Sequence, residues 1–178
     1  NRSEFYYNTA SNNGGAVQLN RENNTIDNSR FEHNNASYGG ALYIYHGNSL
    51  VNNTNMSYNN ASMGGAIYIF IGDNVTVDNS RFTQNGAFTN EENLKLPIII
   101  RPRINAGAIF WQGKNGVIDH SVFDSNIVKT EGQGNAQGGA VYWVGNNATI
   151  NNTKFISNSV SNEGNFSEGG ALSISDDY

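Results

Sequence analysis

Apolar and polar positions return along this chain at a near-constant period, and segment 52–81 shows one unit. Met56 is followed three residues later by Asn59, then by Gly64-Gly65-Ala66, then by Ile67 and Ile69, and then by a polar run around Val77. Phe5, Phe31, Met56, Phe82, Phe123 and Phe155 share the first position, and Asn8, Asn34, Asn59, Asn85, Asn126 and Asn158 the second. The steps between successive first positions are 26, 25, 26, 41 and 32 residues. A fixed period of this kind is the signature of a stacked repeat, and it settles the architecture before any local assignment.

After each Gly-Gly-Ala the side chains alternate. Val17 and Leu19 are set against Gln18 and Asn20, and Leu172 and Ile174 against Ser173 and Ser175, which is the period of a half-buried strand. That parity makes Val17, Leu42, Ile67, Ile109, Val141 and Leu172 one inward column. A second strand centres on Ile26, Val51, Val77, Ile118 and Ile150, and a third on the Phe position. No segment has helical periodicity. The expected fold is all-β: a parallel β-helix, one β-solenoid spanning 1–178, with six coils of three short strands.

In such a coil each strand pairs with its equivalent one turn away, at about 4.8 Å, so like residues stack. Phe31, Phe82, Phe123 and Phe155 become a ring column. Asn34, Asn59, Asn85, Asn126 and Asn158 become a corner ladder in which each amide bonds the next, as in stacked cross-β segments. Leucine-rich repeats need several Leu per unit, and the chain has six in all. Propeller blades need about 40 to 50 residues each.

The period breaks in one place in each of the last three coils. Residues 86–105, 127–137 and 159–168 are insertions between the ladder Asn and the Gly-Gly, so all three leave from one corner. Insertions on one edge of a solenoid commonly form its recognition surface. The longest holds Lys95, Ile98, Ile99, Ile100, Arg101 and Arg103; this apolar, basic-flanked run suits either contact with a partner or folding back against the solenoid. A second candidate surface is the outward column Tyr43, Tyr68, Phe110 and Tyr142. Such rings suit sugar stacking or protein contact, or they stabilise the sheet as cross-strand pairs.

Net charge is -5 and charged residues are 14% of the chain, with no basic stripe. That argues against a nucleic-acid partner. With no Cys there is neither a disulfide framework nor a thiolate metal site, and no cofactor is expected. No apolar run approaches the roughly 20 residues of a membrane span. The chain starts and stops within a repeat, which suggests a segment of a longer polypeptide, or copies stacking end to end into a filament through open strand edges. Among Asn-x-Ser/Thr positions, Asn23, Asn35, Asn52, Asn74, Asn147 and Asn165 are candidate glycosylation sites if the protein is exported.

Gly-Gly-Ala-(Ile/Leu/Val) paired with Phe-x-x-Asn, as in Gly64-Gly65-Ala66-Ile67 with Phe82-Thr83-Gln84-Asn85, recurs in register over the full length. It resembles the repeat of chlamydial polymorphic outer-membrane proteins and, more closely, that of adhesin-like surface proteins of methanogenic archaea. Ala106 in place of the first Gly and Met56 in place of Phe depart from the pattern. The resemblance implies a right-handed parallel β-helix displayed at the cell surface for attachment to another surface, a glycan or a protein. It implies no catalytic residues.

An enzymatic alternative rests on Asp78 and Asp119, which share a repeat position with Asp27 on neighbouring coils. Stacking would put them about 5 Å apart, near the separation of a retaining glycosidase pair. Yet Asn52 and Asn151 occupy the same position, so an Asx corner turn also explains the column. The expectation is a non-enzymatic, adhesin-like or filament-forming surface module, with a polysaccharide hydrolase or lyase as the alternative.

Overall fold

The computed structural model describes residues 2–89, 104–130, 135–162 and 166–175. Its strands are two to four residues long, all pair in parallel, and no described residue is helical. The chain is a parallel β-helix, and the register read from the repeat is the register of the sheets.

One six-stranded sheet carries the aromatic position: Glu4–Tyr6, Arg30–Glu32, Asn55–Ser57, Arg81–Thr83, Val122–Asp124 and Lys154–Ile156. Within it Phe5 pairs with Phe31, Phe31 with Met56, Met56 with Phe82, Phe82 with Phe123 and Phe123 with Phe155. A second six-stranded sheet follows the glycines, from Val17–Leu19 to Leu172–Ser175, and a five-stranded sheet joins them, from Thr25–Asp27 to Thr149–Ile150. The core is the tube these three enclose. Phe31, Leu42, Ile44, Val51, Met56, Ile67, Val77, Phe82, Trp111, Phe123 and Trp143 are all completely buried there.

The Asn ladder runs through the corner beside the Phe sheet. Each Nδ2 donates to the next Oδ1: Asn8 to Asn34 at 2.9 Å, Asn34 to Asn59 at 2.9 Å, Asn59 to Asn85 at 3.0 Å, Asn85 to Asn126 at 3.0 Å and Asn126 to Asn158 at 2.9 Å. The second amide proton donates back one coil, as from Asn85 to the Met56 carbonyl at 2.9 Å. Each Oδ1 also accepts the backbone N–H of the preceding ladder Asn, as Asn85 does from Asn59 at 3.0 Å. Two donors and two acceptor sites are thus used at every interior step. Among the described residues no buried side-chain nitrogen or oxygen lacks a partner.

The paired glycines have two separate reasons. The first sits in the left-handed region, with φ of 63° at Gly39 and 64° at Gly64, and Ala106 adopts φ 63° where it replaces glycine. At the second, Gly40 or Gly65, a Cβ would strike the backbone of the next coil, so glycine is needed there for close approach.

One expectation is refined. The first coils have three strands, but in the later ones the insertions begin and end as strands of their own. Asn60–Ala61, Gly86–Phe88, Ile127–Thr130 and Ser159–Asn162 form a four-stranded sheet leaving the corner, and Ile104–Asn105, Ala136–Gln137 and Ser167–Glu168 a three-stranded sheet returning to it. Ala87, Ile104, Val128 and Ala136, with Val160 beside them, form a small core between the two. The insertions are therefore rooted in a two-sheet ridge, because each outgoing strand finds its parallel partner already placed by the coil below.

Candidate functional site

The ridge is the first candidate. Its roots are ordered by the ladder: the Asn85 carbonyl accepts from the Ile127 N–H at 3.0 Å, and that of Asn126 from the Ser159 N–H at 2.9 Å. Thr89 and Thr130 hydroxyls meet at 3.0 Å across adjacent coils. Lys95, Ile98, Ile99, Ile100, Arg101 and Arg103 lie outside the described residues, as does Asn165.

The aromatic column is assembled as its register requires. Tyr43 and Tyr68 stack with centroids 5.3 Å apart, Tyr68 and Phe110 at 4.6 Å, and Phe110 meets Tyr142 edge-on at 5.6 Å. The return segments Tyr38, Met63 and Ala106 cover it, leaving the four rings only 6 to 9% exposed. The column is thus the centre of a second apolar cluster outside the tube. Burial pushes the Tyr68 hydroxyl well above the ordinary tyrosine range, with Tyr43 and Tyr38 adding to it. Burial likewise raises Tyr43, helped by Tyr45 and Tyr38.

Asp78 and Asp119 are partners in register on adjacent strands. Histidine adds what the spacing alone did not reveal: His120 Nδ1 lies 3.5 Å from Asp78 Oδ1 and 3.2 Å from Asp119 Oδ1. His120 occupies the corner position of Asn28, Asn53, Asn79 and Asn152, and all five have positive φ. The turns are capped locally, with Asp78 Oδ1 accepting from the Asn79 N–H and Asp119 Oδ1 from the His120 N–H, each at 2.9 Å. Elsewhere in the column an Asn separates the carboxylates, as where Asn52 Nδ2 donates to Asp27 Oδ1 at 2.9 Å. Two carboxylates and an imidazole could transfer protons or share a cation, since their ligand atoms all lie within 4.8 Å of one another. All three remain partly solvated.

Two columns were missed by sequence reasoning. A hydroxyl ladder follows the corner: the Thr54 N–H donates to Ser80 Oγ, and that of Ser80 to Ser121 Oγ, each at 3.2 Å. Its signal was the recurring Asp/Asn-Asn/His-Ser/Thr triplet. The other is an exposed stack of Tyr7, His33 and Tyr58, with centroid separations of 4.8 and 5.0 Å, at the residue before each ladder Asn. Of the candidate glycosylation sites, Asn23, Asn35, Asn74 and Asn147 are exposed and Asn52 is half-buried. Asn74 and Asn147 also donate to Asn48 and Asn115 at 3.1 and 2.9 Å. Compared with protein-family models, curated proteins and solved structures, the chain matches none.

Proposed function

We propose that this β-solenoid is a non-enzymatic, extracellular attachment module that presents one ridge of insertions from a stiff rod to a partner surface. The observation that carries the reading is the ridge: three consecutive coils spend their extra residues at one corner, and the roots stack as two parallel sheets. A catalytic fold needs a cleft that converges on reacting groups. A display fold needs a rigid base and a variable edge, and loops on a rigid scaffold are where binding usually resides. Beads coated with the chain should adhere to target cells, and replacing 90–103 by a Gly-Ser linker should abolish adhesion. Equal adhesion by the variant would remove the ridge from the mechanism.

A second reading, a polysaccharide hydrolase or lyase, draws on the Asp78, Asp119 and His120 group. It requires sugar turnover that disappears in Asp78→Asn. The partial solvation of all three groups speaks for the attachment reading, since it leaves them open to water rather than enclosed around a substrate.

A further inference from the structure

The outer face of the Phe sheet carries a cleft that neither the ridge nor the aromatic column uses. On the third coil its outward side chains are short, Asn55 and Ser57. The coils on either side set Arg30 with Glu32 and Arg81 with Thr83 in the same two columns. The result is an open depression of about 1000 Å³. Arg2, Arg30 and Arg81 line it, each paired with one carboxylate, Glu4, Glu32 and Asp124 respectively, so it gathers three guanidiniums with donors to spare on a chain of net charge -5.

We propose that this cleft binds an acidic glycan, Arg30 and Arg81 receiving anionic groups on separate sugar rings and the floor receiving hydroxyls. The two arginines stand two coil steps apart, about 9.5 Å along the sheet. Each of these two guanidiniums is exposed and already oriented by a half-buried carboxylate, Arg30 by Glu32 at 2.7 Å and Arg81 by Asp124 at 2.8 Å. A guanidinium has five donors, so on these solvent-facing arginines a ligand carboxylate or sulfate can share the group with its internal partner.

The rest of the lining selects a sugar over other anions. Asn28, Asn53, Asn55 and Ser57 supply amides and hydroxyls that both donate and accept, as sugar hydroxyls do. Tyr58 stands at the rim with His33 against one ring face. An extended acidic peptide would seek a free strand edge, but the floor strand Asn55–Ser57 is paired on both sides. The assignment deepens the attachment reading by giving a ligand class to a second face of the rod.

The test is calorimetric binding of the 178-residue chain to a hyaluronan oligosaccharide, a heparin oligosaccharide, carboxyl-reduced hyaluronan and poly-glutamate. One or both acidic glycans should bind, more weakly as salt rises, and the uncharged one should not. Arg30→Gln with Arg81→Gln should weaken binding at least about tenfold, roughly 1.4 kcal/mol. Ser57→Tyr, which fills the floor without changing charge, should weaken it similarly. Both sets alter exposed or half-exposed side chains, and unchanged circular dichroism would certify the fold. The proposal is overturned if neither acidic glycan binds, if poly-glutamate binds as tightly, if the reduced glycan binds equally, or if either variant retains full affinity. Deleting 90–103 should leave glycan affinity intact, so loss of cell adhesion with glycan binding preserved would separate this cleft from the ridge.

Discussion

At the scale of single residues, the ladder amide is the most constrained group in the chain. Asn85 is completely buried; its Oδ1 accepts from Asn59 N–H and Nδ2, while its Nδ2 donates to the Met56 carbonyl and Asn126 Oδ1. Asn85→Ala strands partners on both neighbouring coils, and each buried unsatisfied group costs about 1–3 kcal/mol. We expect a loss of at least about 3 kcal/mol by urea denaturation, against about 0.5 kcal/mol or less for the exposed Asn55→Ala. Tyr68 gives a residue-scale prediction in pH. Its folded pKa is raised by burial, so the native state holds its proton more tightly than the unfolded chain does. The stability this confers is fully present below the unfolded tyrosine value of about 10 and is lost as pH rises through the folded value. The urea midpoint should therefore fall above about pH 10, and by less in Tyr68→Phe.

At the scale of elements, the interior keeps its volume by exchange between strand and turn. The third coil places Ile69 beside Val75; the fourth and fifth carry Trp111 and Trp143 in the Ile69 column, with Gly116 and Ala148 in place of Val75. The indoles stack at 4.1 Å, and their Nε1 atoms donate to the Gly72 and Gly113 carbonyls at 3.1 and 3.0 Å. A Cβ at Gly116 would meet both rings, so Gly116→Val should destabilise by about 1–3 kcal/mol through overpacking. Adding Trp111→Ile should recover only part of that thermal shift, because the Trp143 ring remains. The inward columns were legible in the sequence because period, parity and stacking all pointed the same way at Val17, Leu42 and Ile67. The ridge roots were not. Gly86–Phe88 and Ser159–Asn162 have little β propensity of their own, and they are strands because Ile127–Thr130 lies between them as a partner. His120 escaped for a related reason: its corner role was readable, but its approach to two carboxylates depends on how the turn aims the ring. The aromatic column was readable as a column, whereas its burial depends on Tyr38, Met63 and Ala106 crossing over it.

At the scale of the whole molecule, contacts are almost entirely between equivalent strands of neighbouring coils. Stability should then behave as a chain of nearest-neighbour terms rather than as one core. Interior coils have two neighbours and terminal ones have one: Phe31, Phe82 and Phe123 are completely buried, while Phe5 and Phe155 are only partly so. Hydrogen exchange on the 178-residue chain should show protection greatest around Phe82 and Asn85, declining in both directions toward Tyr6 and Ile156. The gradient should hardly respond to salt, because neutral amides and apolar side chains carry the stacking, whereas screening acts on charges. Asn85→Ala should flatten it by uncoupling the coils on either side, so that the two halves exchange at independent rates. A single exchange rate throughout the wild-type chain would instead show that the rod opens as one cooperative unit, and the description of stability as a sum over coil interfaces would have to be abandoned.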